Sequence, residues 1–89
     1  MLRLTVISQN VREVVLKVDG SLGGADVNIL EQEGGYHLQG GGKLVLDLED
    51  ARFIDQTGLA LLRQWSGEQL ELRGGSSFVQ TLLKAYGLI

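Results

Sequence analysis

The stretch that decides the fold is residues 53–62, Phe-Ile-Asp-Gln-Thr-Gly-Leu-Ala-Leu-Leu. Two apolar residues come first, then a carboxylate, then a run of good helix formers, which is the pattern of a strand that ends and turns into a helix. Asp55 is at the position where a carboxylate can accept hydrogen bonds from the free amides of a first helical turn. We therefore predict that Asp55 is the N-cap of a helix whose tip is exposed.

The helix predicted after Asp55 has one apolar face. The residues of this face recur at helical spacing; they are Gly58, Leu61, Leu62 and Trp65. Gly58 has no side chain, so it would let another backbone or a partner approach the helix start closely. We expect this face to pack inward and the amino-terminal tip to remain accessible.

Length and composition limit what else the chain can do. Its 89 residues suit a single domain, residues 1–89, with one core. The net charge of -3, with eight basic residues scattered singly, offers no basic patch for nucleic acid. The chain has no cysteine, which excludes disulfides and thiol chemistry, and no segment suited to a bilayer or a signal peptide. We expect a cytoplasmic protein without membrane insertion.

Apolar patterning predicts the strands. Residues 2–6 and 14–18 alternate, which indicates a β-hairpin, and residues 43–48 contain the unbroken Leu-Val-Leu typical of a central, parallel strand. Residues 69–73 alternate again after the helix, so strand, helix and strand form a βαβ unit. This order predicts an α/β domain with a mixed sheet.

The last helix is marked at both ends. Ser77 and Gln80 resemble a capping box, and Gly87 provides a left-handed stop. Its apolar face is predicted to be Val79, Leu82, Leu83 and Tyr86. The segment 20–42 is harder to interpret: residues 25–33 fit a short helix, and the glycines at 34, 35, 40, 41 and 42 predict a turning connection.

Several of these stretches, in this order, resemble the STAS domain of anti-sigma factor antagonists. They are residues 44–48 (Leu-Val-Leu-Asp-Leu), 53–59 (Phe-Ile-Asp-Gln-Thr-Gly-Leu), 70–72 (Leu-Glu-Leu) and 82–88 (Leu-Leu-Lys-Ala-Tyr-Gly-Leu). The resemblance implies a small α/β domain with a mixed sheet of about four strands and helices packed on one side. It also implies a non-catalytic module that binds other proteins in bacterial signal transduction and transcription regulation, without a cofactor.

In that family the residue after the Asp is a serine that a partner kinase phosphorylates to switch off binding. Here that position is Gln56, and an amide cannot accept a phosphoryl group, so the usual charge switch is missing. Thr57 is a possible substitute acceptor. The alternative is that Thr57 only makes a local hydrogen bond in the first helical turn.

We expect the partner-binding face to consist of Asp55, Gln56, Thr57, Gly58 and Leu59. The resemblance implies an anti-sigma factor or a kinase-like ATPase as the partner, which the domain binds competitively. A STAS accessory subunit of an ABC-type lipid transport complex is an alternative, because its helix start resembles Gly-Leu-Ala-Leu-Leu here. A purely structural role, in which Asp55 and Thr57 cap and Leu59 packs, is also open.

Other chemistries lack what they require. Residues 40–43, Gly-Gly-Gly-Lys, lead into a strand and not into the helix of a phosphate loop, and His37 has no second metal ligand nearby. The acidic residues 47, 49, 50 and 55 show no ligand spacing of a known metal-binding loop, and Glu49 and Asp50 are predicted to lie in a solvated loop after the strand. The aromatic residues 53, 65, 78 and 86 are predicted to be in the core. Binding of a nucleotide or another anion at the helix start is opposed by Asp55 itself. No nucleophile with a paired base is evident, so we expect no enzyme activity.

Overall fold

Five β-strands and three α-helices follow one another along the chain in the computed structural model, which describes residues 1–89. The strands are β1 (Leu2–Gln9), β2 (Glu13–Leu22), β3 (Lys43–Asp47), β4 (Ala51–Ile54) and β5 (Leu70–Arg73). The helices are α1 (Val27–Gln39), α2 (Gln56–Trp65) and α3 (Ser77–Ala85), and a 3-10 turn at Gly24–Asp26 precedes α1. None of these helices combines the length and the apolar character needed to cross a membrane.

The strands form one mixed sheet in the order β1-β2-β3-β5, with β4 also paired to β2. β1 and β2 are the predicted antiparallel hairpin, in register from Leu2 opposite Gly20 to Gln9 opposite Val14. β3 lies parallel to β2 on one side and to β5 on the other, so the prediction of a central, parallel strand is confirmed. The α/β class and the mixed sheet are confirmed as well.

The sheet has one strand more than the four predicted, because β4 is a separate element. β3 pairs with residues 13–17 of β2, and β4 pairs with residues 20–22 farther along the same edge. The Asp47 side chain accepts a 3.0 Å hydrogen bond from the Glu49 N–H, and the Ala51 N–H bonds the Leu48 carbonyl at 3.1 Å. These bonds turn the chain between the strands, so that Phe53 and Ile54 belong to a second strand beside β2.

All three helices contribute to one core on one face of the sheet. Alternate residues of β2 and β3 join this core, as the two-residue period of a strand requires. The members at the centre are Val14, Leu16, Val18, Leu44 and Leu46 from the sheet, and Leu30, Leu59, Leu62, Val79 and Leu83 from the helices. The prediction of helices packed on one side is therefore confirmed.

Helix α1 is longer than predicted, because it continues through Gly34 and Gly35. A Cβ atom on Gly34 would lie 2.7 Å from Cη2 of Trp65 and 2.9 Å from Cδ2 of Leu44. Gly34 is thus the position where α1 meets α2 and the sheet most closely, and the prediction of a turn at residues 34–35 is wrong. His37 lies in the last turn of this helix and not in a loop.

Helix α3 begins one residue earlier than its predicted capping box implied. Ser76, and not Ser77, is the N-cap, and its hydroxyl accepts a 3.2 Å hydrogen bond from the Val79 N–H. The predicted stop is confirmed: Gly87 has a φ of +71°, and the Leu88 N–H donates to the Leu83 carbonyl at 2.8 Å.

The four aromatic residues predicted in the core divide into two pairs. Trp65 and Tyr86 pack against the core as predicted. Phe53 and Phe78 do not, because 44% and 54% of their surfaces are exposed. The prediction is wrong for this second pair.

Candidate functional site

The starts of the three helices lie at one end of the sheet. β3 and β4 each pair with β2 in parallel, and β5 pairs with β3 in parallel. These four strands therefore run in the same direction, and the carboxyl ends of β2, β4 and β5 lie at the same end of the sheet. The segment before α1 follows β2, α2 follows β4, and α3 follows β5. Residues separated by dozens of positions are therefore brought together around the tip of α2.

Asp55 organises this end of the molecule. Its side chain caps α2 as predicted, with Oδ1 accepting a hydrogen bond from the Gly58 N–H at 3.0 Å. The Thr57 hydroxyl also donates to Oδ1, and the Gly24 N–H donates to Oδ2 at 3.0 Å. One carboxylate thus orders the first turn of α2 and fixes it to the turn between β2 and α1.

These donors also set the charge of Asp55. The Thr57 hydroxyl, followed by the N–H groups of Gly58 and Gly24, holds the pKa of Asp55 below its ordinary value, because each hydrogen bond stabilises the ionised carboxylate. Asp55 therefore remains an anion at the amino-terminal end of α2. The position that a bound phosphate would occupy there is taken by the chain's own carboxylate.

Gly58 permits a close approach, but the approaching group belongs to this chain. A Cβ atom at this position would lie 2.7 Å from the carbonyl oxygen of Leu22 and 2.9 Å from Cγ2 of Ile54. Gly58 lies on the buried side of α2, so the start of this helix can pack against the end of β2. The structure assigns this glycine to internal packing.

Leu59 lies in the core as well. Only 2% of its surface is exposed, and it belongs to the central apolar cluster. The expectation that its side chain contributes contact surface is therefore corrected. The apolar face of α2 is wider than predicted, because Gly58, Leu59, Leu61 and Leu62 are all buried.

The exposed part of the predicted set consists of Gln56 and Thr57. Two residues that the sequence analysis placed in the core are exposed as well. The rings of Phe53 and Phe78 stack with centroids 6.1 Å apart and planes 19° apart, and both are about half exposed. Phe53 lies in β4, two residues before Asp55, and Phe78 is in the first turn of α3. We call Gln56, Thr57, Phe53 and Phe78 the α2-tip surface.

Gly23 is a further residue that the sequence analysis missed. A Cβ atom on Gly23 would clash with Oδ2 of Asp55, so the absence of a side chain at this position lets the carboxylate reach the Gly24 N–H. The signal in the sequence was the pair Gly23-Gly24 directly before a helix, but the hydrogen bond from Gly24 to Asp55 spans 31 residues. Local patterns do not indicate such a partner.

The chemistry available at this end is recognition. The α2-tip surface contains an amide, a hydroxyl and two aromatic rings, and none of these is an activated nucleophile with a paired base. No group of three or more His, Cys, Asp or Glu side chains is arranged to hold a metal ion. The depression that Ser21, Arg52 and Ser76 help to line is open, and most of its lining residues are polar or charged, unlike those of an enclosed apolar ligand pocket.

Comparison with known proteins defines the class. A family model described as "Mlab, STAS domain" matches residues 5–89, which is all but the first four residues. The chain therefore belongs to the STAS domain family, whose members are generally non-catalytic interaction modules. No curated protein matches the chain.

Proposed function

We propose that this STAS domain binds a protein partner through the α2-tip surface, and that this binding is its function. The observation that carries the proposal is the stacked, half-exposed pair Phe53 and Phe78 on β4 and α3, together with the exposed Gln56 and Thr57 at the start of α2. Exposed aromatic rings next to polar groups are typical anchors of protein interfaces, because they bury large apolar areas and lose little side-chain entropy.

Rigidity of the surface supports the same proposal. Asp55 holds the α2 start and the Gly24 turn together by hydrogen bonds, and Ser76 caps the helix that carries Phe78. A preorganised surface loses less conformational freedom when a partner binds. Asp55 and Gly58 therefore act as positioning residues, and Gln56 and Thr57 make contact.

The module is not switched by phosphorylation at position 56, because Gln56 has no hydroxyl. Thr57 has one, but this hydroxyl donates a hydrogen bond to Oδ1 of Asp55. A phosphate on Thr57 would place about two negative charges beside a carboxylate that is already ionised. Partner binding is thus constitutive at this turn.

Two classes of partner fit this surface. The resemblance to anti-sigma factor antagonists supports an anti-sigma factor or a kinase-like ATPase, and the resemblance to transporter-associated STAS proteins supports a subunit of an ABC-type lipid transport complex. Gln56 favours the second class, because the antagonist cycle relies on a phosphoacceptor at that position. The description of the matching family model names Mlab and no anti-sigma antagonist, which also favours it.

Affinity capture from the cells of origin distinguishes these partners. The tagged chain is incubated with cytosol and with detergent-solubilised membranes, and the bound proteins are identified by mass spectrometry. Recovery of a transporter ATPase with its permease supports the accessory-subunit assignment. Recovery of an anti-sigma protein or a histidine-kinase-like ATPase would replace it with the antagonist assignment, and capture of neither class contradicts both.

A further inference from the structure

β1 is the one long edge of the sheet without a neighbour. It has eight residues and pairs only with β2, so alternate N–H and C=O groups along its outer side have no strand to bond. The opposite edge, β5, has only four residues, and its Glu71 forms ion pairs with Lys43 and Arg73. β4 also has only four residues and packs against α3.

Natural edge strands commonly carry lysine, proline, inward-pointing charges or a β-bulge, each of which hinders pairing with another chain. Of these devices, the central part of β1 has only the bulge at Ile7. Residues 4–11, Leu-Thr-Val-Ile-Ser-Gln-Asn-Val, contain no charge and no proline. At their centre Val6 and Ile7 are 48% and 52% exposed, and Ile7 has no partner on β2 because a bulge sets it apart.

We propose that a second copy of this chain pairs with β1, antiparallel and across a two-fold axis, so that two sheets join into one. A two-fold axis places a strand against itself, and a charged strand would then meet its own charges. Residues 4–11 meet no like charge in such a pair. The exposed Val6 and Ile7 lie at the middle of the strand, so each copy covers the apolar side chains of the other.

This dimer interface is separate from the α2-tip surface. β1 pairs with one edge of β2, and β4, which leads into Asp55, pairs with the other. Dimerisation thus leaves the tip of α2 accessible, and two tips would be presented by each dimer. The inference does not depend on the proposed function, because self-association of the purified chain can be measured without any partner protein.

Sedimentation equilibrium of the full 89-residue chain, from low micromolar to millimolar concentration, tests the proposal. We expect a monomer–dimer equilibrium whose dissociation constant rises about tenfold or more in Ile7→Lys, which brings two like charges together at the axis. Ile29→Lys is the matched control, because Ile29 is the same residue type, is 47% exposed and lies on α1, outside β1. It should leave the dissociation constant unchanged.

Far-UV circular dichroism and thermal unfolding of each variant confirm that the fold is retained. A second readout is hydrogen exchange, in which outward-facing amides of β1 should exchange more slowly at high protein concentration. A chain that stays monomeric at millimolar concentration overturns the proposal and leaves the edge to a strand of another protein. A dimer that Ile7→Lys does not weaken overturns it as well.

Discussion

The backbone N–H of Gly24 donates a 3.0 Å hydrogen bond to Oδ2 of Asp55, across 31 residues of sequence. Oδ1 of the same carboxylate accepts from the Gly58 N–H at 3.0 Å. Asp55 therefore has two roles: it caps α2, and it fixes the turn before α1 to the start of α2. A single ionised side chain therefore holds the start of α2 and the turn before α1 in place.

In Asp55→Asn, the free energy of unfolding should fall less than in the wild type when the pH is lowered into the acid range. Because the fold lowers the pKa of Asp55, its stabilising contribution is complete above the ordinary value of 3.8 and is lost as the pH falls through the lower pKa of the folded state. The asparagine cap cannot be protonated in this range, so the variant should lose less stability than the wild type. Urea unfolding from neutral pH to about pH 3 measures this difference.

The stability of Asp55→Asn will still fall somewhat in acid, because two other carboxyl groups have lowered pKa values. Lys17 lowers the pKa of Asp50, and Lys43 together with Arg73 lowers the pKa of Glu71. The control is Asp26→Asn, since the Asp26 side chain makes no capping hydrogen bond. This control should follow the wild type. Identical acid profiles for the wild type and Asp55→Asn would show that the three hydrogen bonds do not stabilise the charged form.

Gly34→Ala and Gly35→Ala should have opposite effects on stability. An alanine at 34 would place its Cβ atom 2.7 Å from the Trp65 ring and lower the free energy of unfolding by about 1–3 kcal/mol. At 35 the nearest atom is 4.0 Å away, so alanine should raise it by about 0.5–1 kcal/mol through better helix propensity. Chemical denaturation measures both. A stabilised Gly34→Ala would mean that α1 and α2 are not in close contact.

This glycine pair shows why local patterns predicted some elements and not others. The cap at Asp55, the hairpin and the stop at Gly87 were predictable because each depends on residues a few positions apart. A glycine in a helix lowers its intrinsic stability, so residues 34–35 indicated a break. Only the contact with Trp65, 31 residues later than Gly34, favours a continuous helix there.

The candidate site was predicted in part for a similar reason. Its location at residues 55–57 follows from the strand-to-helix pattern, but the burial of Leu59 depends on how far α2 sinks into the core. Phe53 and Phe78 were assigned to the core from their apolar character alone. Both rings remain exposed because of the way β4 and α3 pack against each other. This packing joins residues that are far apart in the sequence, so no short stretch predicts it.

Phe78→Ser should weaken partner binding more than it weakens the fold. The stacked pair contributes about 1 kcal/mol to stability, whereas an aromatic anchor typically contributes about 2 kcal/mol or more to an interface. Tyr36→Ser is the matched control: Tyr36 is 76% exposed but lies on α1, where it stacks edge-on with His37. Titration of the captured partner should detect a loss for Phe78→Ser only. An equal loss in both variants would argue against a specific role for the Phe53–Phe78 pair.

The chain isolated from its own cells should carry no phosphate on residues 55–58. Gln56 has no hydroxyl to accept one, and the Thr57 hydroxyl is held in a hydrogen bond to the Asp55 carboxylate. Phosphopeptide mass spectrometry of the peptide that spans α2 checks this directly. Detection of phosphothreonine at 57 would restore Thr57 as a substitute acceptor and replace constitutive binding with a switch.

The most direct test of the α2-tip surface compares Gln56→Arg with Gln64→Arg in the affinity for the captured partner. Both glutamines are exposed and lie on α2, but at opposite ends, so the same change is made on one helix inside and outside the surface. Binding through the tip predicts that Gln56→Arg weakens binding about tenfold or more and that Gln64→Arg leaves it unchanged. Wild-type affinity in Gln56→Arg, with the fold intact, would contradict the proposal that the partner binds there.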